Sequence, residues 1–211
     1  MSGSKEKTIA DREADVTVAS QSMIGRGYMP YERYEISIAR PGEPPLLQQR
    51  DMLRAASVVA VLPVDLARQQ VVLLHQFRLS AHFATGRGEM VEIVAGRIDD
   101  GETRATAARR ECEEEIGVTP ERMAELFTVL PSPGLTDERV TLFVGFVNAS
   151  KVPARSGLAG ENEDTRPFAV SIDDAISSLE RGTAANALLV TALQWLAIHR
   201  AELTDYFNRA V

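Results

Sequence analysis

Three short apolar runs follow one another between Ser57 and Gly96: Val58-Val59-Ala60-Val61-Leu62, Val71-Val72-Leu73-Leu74, and Met90 to Ala95. The first two are rich in β-branched residues and separated by a polar turn at 65–70, and a glycine ends the third. Runs this short read as strands, and their near-unbroken apolarity means that both faces are covered. A helical pattern then fills 103–116. A long strand follows from about 139 to 148, with Val140, Leu142, Val144 and Phe146 on one face. Ser171, with Asp174 three residues on, opens a helix that ends at Gly182. A last helix at 185–199 carries the stripe Leu188, Leu189, Ala192, Leu193 and Leu196. Interleaved strands and helices predict an α/β or α+β fold around a mixed sheet covered on both sides.

The first 56 residues are of a different kind. Residues 1–15 read as a frayed leader. Tyr34, Ile36 and Ile38 alternate with polar residues, so 33–39 reads as a half-buried strand. Pro41-Gly42-Glu43-Pro44-Pro45 makes a turn before a short segment at 46–50. So few residues bury no core of their own, which predicts a small antiparallel β appendage on a main domain at 57–211. Charge excludes several functions: 23 basic against 30 acidic residues give a net −7, without a basic run, so a nucleic-acid partner is not expected. No apolar stretch approaches the roughly 18–20 residues of a membrane span, and the N-terminus has no apolar export signal. A single cysteine, Cys112, suits the reducing cytoplasm.

The segment Gly96 to Val118 carries the chemistry. Seven of its residues are acidic: Asp99, Asp100, Glu102, Glu111, Glu113, Glu114 and Glu115. On a helix over 103–116, Ala105, Ala108, Cys112 and Ile116 line a core stripe at about 100° per residue. Glu111 and Glu115 stack on an adjacent stripe, with Glu114 beside them. Like charges at that spacing destabilise a bare helix by about 0.2–0.5 kcal/mol per pair. A hard divalent cation such as Mg²⁺ resolves the conflict, because it takes carboxylate and phosphate oxygens. A bare run of glutamates is more often a solvated face, so the surrounding pattern has to decide. His75, His82 and His199 show no metal spacing, and Cys112 on the core stripe reads as packing.

That pattern resembles the signature of the Nudix hydrolases, G-x5-E-x7-R-E-U-x-E-E-x-G-U, where U is a bulky apolar residue. Gly96, Glu102, Arg110, Glu111, Glu114, Glu115 and Gly117 fill every fixed position, with Cys112 at the first U as a mild departure. The resemblance implies an α/β/α sandwich around a mixed β-sheet. It implies hydrolysis of a nucleoside diphosphate linked to a further group, with Mg²⁺ or Mn²⁺, two or three ions per site. Metal would be held by Glu111 and Glu115, with Glu114 and the Ala95 carbonyl as further ligands. Glu102 and Arg110 would be a structural pair.

Beyond the signature, Gln76-Phe77-Arg78, Ser132-Pro133-Gly134, Glu161-Asn162-Glu163-Asp164 and Ala192-Leu193-Gln194-Trp195-Leu196 look like the bacterial ADP-ribose pyrophosphatases. The likeness implies cleavage of ADP-ribose to AMP and ribose 5-phosphate. It implies a homodimer with exchanged N-terminal segments, Tyr28 on the adenine, and Arg50 and Arg54 near the nucleotide of the other subunit. Arg78 would face the phosphates and Glu138 the terminal ribose. In the acidic loop at 150–167, Glu161 would be the general base and Glu163 a metal ligand, an order that two glutamates so close leave open to exchange. Cleavage of another nucleotide sugar such as GDP-mannose is the competing reading. A non-catalytic ligand sensor is the third, disfavoured because every carboxylate of the signature is kept.

Overall fold

The computed structural model describes residues 9–158, 160 and 163–210. Their contacts divide the chain into two compact units: residues up to Ala55 together with Gly134–Asp137, and Ala56–Pro133 together with Glu138 onward. The division adds Gly134–Asp137 to the first unit, a segment that the sequence reading left in the main domain.

The first unit is a three-stranded antiparallel sheet of β1 (Val16–Gly25), β2 (Tyr31–Ile38) and β3 (Leu46–Leu53), in that order. None of the residues in these strands is fully buried. Polar pairs hold the sheet: Arg33 grips Asp51 through two nitrogens at 2.7 and 2.6 Å, and Arg54 reaches Asp137 at 3.1 Å. The segment 134–137 docks through Leu53 N–H on the Leu135 carbonyl and Ala55 N–H on the Asp137 carboxylate.

The second unit is built on a mixed sheet. Its strands are β4 (Ser57–Asp65), β5 (Gln70–Phe77), β6 (Glu89–Glu92), β7 (Val94–Arg97), β8 (Arg122–Val129), β9 (Arg139–Phe146) and β10 (Arg166–Ser171). The order is β10-β5-β4-β9-β8, with β6 on β5 and β7 on β4. Only β4 and β9 run parallel, Ser57 opposite Arg139 through Val64 opposite Phe146. The apolar run read as one strand over 90–95 is therefore two: β6 pairs with β5, the chain bends at Ile93, and β7 crosses to β4.

Alternation along the strands sorts side chains into two cores. Ala60, Leu62, Val64, Leu142 and Val144 face one side. There they pack against helices α3 (Ile172–Arg181), α4 (Ala187–His199) and α5 (Leu203–Arg209), through Ile172, Leu189, Leu193, Leu196 and Leu203. Val59, Val61, Val72, Leu74 and Phe143 face the other side, against α2 (Arg104–Ile116). This is the expected α/β/α sandwich. On α2 the core stripe is Ala107, Ala108, Cys112 and Ile116, and Ala105 is exposed, which corrects the stripe read from the sequence by part of a turn. Ser171 caps α3 by accepting from Asp174 N–H at 3.0 Å, and Gly182 ends it at φ 61°. The short helix α1 (Leu79–Thr85) buries none of its residues.

Candidate metal and phosphate site

The site is built where α2 lies across β7. Thr103 starts the helix, its hydroxyl accepting from Thr106 N–H at 3.1 Å, and Gly117 stops it in the left-handed conformation at φ 66°. Between these caps, Glu111 and Glu115 stand one turn apart facing the sheet, 8% and 2% exposed. The strand makes room for them. A Cβ on Gly96 would lie 2.0 Å from the Glu111 carboxylate, and Ala95 N–H donates to Glu115 Oε2 at 3.0 Å. Burial of two acids on one face is costly unless a positive charge joins them.

Arg110 is hydrogen-bonded along this face, and Arg78 adds its charge to Glu115. Arg110 donates from Nη1 to Glu111 Oε1 at 2.8 Å and to Glu114 Oε2 at 2.9 Å. Its other edge binds both oxygens of Glu102, at 3.2 and 3.1 Å, and Nη2 also meets the Arg97 carbonyl at 2.8 Å. Glu102 closes the preceding loop by accepting from Asp99 N–H at 3.2 Å, and Arg110 holds its carboxyl below the ordinary range. Glu115 makes no contact with Arg110. Burial pushes Glu111 up to about 7, against the pull of Arg110, with Glu114 and Glu163 adding to the rise. Glu115 is pushed well up by burial and by the negative charges of Glu163 and Glu111, against the opposing bond from Ala95. The donor set is therefore one that a hard divalent cation fits: buried oxygens, more negative charge than Arg110 offsets, and a backbone pared to glycine beside them.

The second wall comes from β5, β6 and the loop before β10. That loop docks on the last turn of α2, where helix carbonyls lack partners of their own. Ser156 Oγ and Gly157 N–H both reach the Glu114 carbonyl, at 2.7 and 2.8 Å, and Thr165 Oγ1 reaches the Glu115 carbonyl at 2.7 Å. Gly157 sits at φ 103°, where a Cβ would meet the Glu163 carbonyl oxygen at 2.5 Å. Glu163 then accepts from Gln76 Nε2 at 2.9 Å, while Gln76 Oε1 is buried with no partner among the described residues. Next to it Arg78 grips Glu92, Nη2 to Oε2 at 2.7 Å, in the field of Glu115 and Glu163.

Thus the structure brings Ala95, Gly96, Glu111, Glu114, Glu115, Glu163 and Arg78 to one place, with Glu102, Arg110 and Gly117 framing it. Glu138 is half-buried just ahead of β9. Tyr28, Arg50 and Arg54 belong to the first unit: Tyr28 is 82% exposed in the turn between β1 and β2, Arg50 donates to the Gln49 carbonyl, and Arg54 is paired with Asp137. Glu161 lies outside the described residues. Among the described residues no group of three His, Cys, Asp or Glu side chains is placed to hold a metal ion; Arg110 engages Glu111 and Glu114, and Gln76 engages Glu163. Sequence reasoning missed Gln76, Glu92 and Asn186 as site residues. The available signal was a polar residue inside an otherwise apolar run, as at Gln76 and Glu92.

Comparison with known proteins gives a consistent result. A NUDIX domain model matches residues 53–193. The ADP-ribose pyrophosphatase of Escherichia coli K12 is 35% identical over 192 residues, covering 90% of this chain and 92% of the relative. That of Haemophilus influenzae is 32% identical over 164 residues, 76% of each. A solved structure described as an ADP compounds hydrolase shares the fold, with a TM-score of 0.67 at 16% identity over 89% of this chain and 97% of that one.

Proposed function

The chain belongs to the Nudix family, and on that premise we propose that it hydrolyses the pyrophosphate bond of ADP-ribose, releasing AMP and ribose 5-phosphate. The observation that carries this reading is the pair Glu111 and Glu115, buried one turn apart against Gly96 and short of positive charge. Such a pair suits a site whose ligand arrives with a cation. The relatives named for ADP-ribose cleavage, similar over nine-tenths of both chains at best, supply the substrate class.

Glu111, Glu115 and Glu163, with Glu114 and the Ala95 carbonyl, would hold Mg²⁺ or Mn²⁺, two or three ions per site. Bound there, the metal supplies charge neutralisation for the pyrophosphate and acidifies water. The chain's own groups do the rest. Arg78 binds phosphate oxygens. Glu161 takes the proton of a water that attacks one phosphorus in line, the P–O–P bond breaks, and the leaving phosphate carries the electron pair away. Arg110 and Glu102 keep the loop into α2 in place. Tyr28 stacks on adenine, Arg50 and Arg54 serve the nucleotide of the other subunit in a homodimer with exchanged N-terminal segments, and Glu138 meets the terminal ribose. These roles rest on the family resemblance at those positions. The lone cysteine, buried and with its thiol pushed up by burial, fits a protein of the reducing cytoplasm. No helix among the described residues is long and apolar enough to cross a membrane.

The test is product identification after incubation with ADP-ribose, GDP-mannose and NADH in the presence of Mg²⁺. AMP and ribose 5-phosphate, formed fastest from ADP-ribose, support the reading. Preferential cleavage of GDP-mannose, or binding without turnover, contradicts it.

A further inference from the structure

Glu92 is a buried acid, 5% exposed, for which the proposed chemistry has no part. A charge at that depth has to be paired, and pairing alone seldom stabilises a fold over an apolar substitute. Its surroundings are more ordered than charge balance requires. Arg78 presents Nε at 3.1 and 3.2 Å from the two oxygens of Glu92 and Nη2 at 2.7 Å from Oε2. Asn186 adds Nδ2 to Oε1 at 3.0 Å. The same Asn186 caps α4, its Oδ1 accepting from Leu189 N–H at 3.0 Å, and α4 is fixed in the core through Leu189, Leu193 and Leu196. A continuous line therefore runs from a core helix through Asn186 and Glu92 to the Arg78 guanidinium. The Arg78 side chain is 44% exposed, and its guanidinium lies in the field of Glu115 and Glu163.

We infer that Glu92 and Asn186 are positioning residues for the substrate: they lock the Arg78 fork so that its outer edge meets the pyrophosphate. The inference rests on the proposed function, and it adds that the phosphate grip is set from α4 and not from the metal helix. A planar guanidinium held on one edge keeps its other donors aimed, and less freedom is lost when a phosphate arrives. An Arg78 left free would still carry its charge, but without that aim.

Asn186→Ser separates the two duties of Asn186, because serine is a good helix cap and lacks the amide donor. Glu92→Gln, of nearly equal volume, is the second variant. Two readouts are needed. The first is the {¹H}-¹⁵N NOE of the Arg78 Nε–H group: rigid in the wild type, and mobile in both variants with α4 amides unchanged. The second is ADP-ribose kinetics, where KM should rise roughly 5–50-fold with a smaller change in kcat. In the Arg78→Ala background neither change should weaken binding further, since coupled residues are not additive. An Arg78 that stays rigid in Asn186→Ser, or effects that add in full to those of Arg78→Ala, overturn the inference. Absence of ADP-ribose turnover in the wild type overturns the functional reading instead, and the NOE then decides the positioning alone.

Discussion

At position 96 one hydrogen in place of a methyl decides whether Glu111 has room for its carboxylate. The backbone there is ordinary, so the glycine serves space and not conformation. Gly96→Ala should displace Glu111 and weaken metal affinity by about 10–100-fold, read as a shifted Mg²⁺ titration of turnover; an unshifted titration contradicts the cradle. The same burial sets a pH dependence. Burial pushes Glu111 up to about 7 against 4.5 as its ordinary value, and pushes Glu115 well up too. Between those values the folded protein binds more protons than the unfolded chain, so stability falls as pH rises through the window and levels off above the folded value. Metal-free protein should therefore melt higher near about pH 5.5 than near about pH 8, and Mg²⁺ should reverse the loss at the higher pH. A calorimetric Tm that rises with pH in the metal-free protein refutes the buried, uncompensated pair.

Among elements, the loop before β10 has the most to do. It is tied to α2 by Ser156, Gly157 and Thr165, and to β5 through Glu163 and Gln76, so Glu163 joins the α2 acids from a separate element. If Glu161 is the base, Glu161→Gln should lower kcat by about 10²–10⁴-fold with little change in KM, while Glu163→Gln should weaken metal dependence along with rate. The reverse split at saturating Mg²⁺ exchanges the two roles. How much of this was legible follows from period and burial. Strands β4, β5 and β9 and helices α2, α3 and α4 announced themselves through apolar runs, stripes and caps. Strand β8 did not, because a register shift between Glu125 and Phe127 breaks its alternation. Strand β10 is short and carries Pro167, so it read as the tail of a loop. Helix α1 buries nothing and has no side-chain cap, and β1 is exposed almost throughout. At the site, the α2 acids were legible because a motif spaces them. Asn186 meets Glu92 across 94 residues of sequence and Gln76 meets Glu163 across 87, contacts that only the tertiary fold makes and no local pattern encodes.

For the whole molecule, the first unit raises the question of assembly. Its three strands have no fully buried residue, and Val18 and Leu47 are 54% and 76% exposed. A small sheet of that kind is marginal by itself, which supports the proposed homodimer. Light scattering should give a mass about twice 23.1 kDa; a stable, active particle of the single-chain mass contradicts the dimer. The account as a whole stands on the claim that the buried acids of α2 bind the cation on which turnover depends. Electron paramagnetic resonance of Mn²⁺ titrated into the protein, alongside ADP-ribose turnover, tests it most directly. Wild type should bind Mn²⁺ and turn over. Glu115→Gln, still able to accept from Ala95 N–H, should stay folded with an unchanged or higher Tm, since a buried like-charge repulsion is relieved, and should lose bound Mn²⁺ and turnover together. Wild-type Mn²⁺ binding and activity in folded Glu115→Gln would contradict the account.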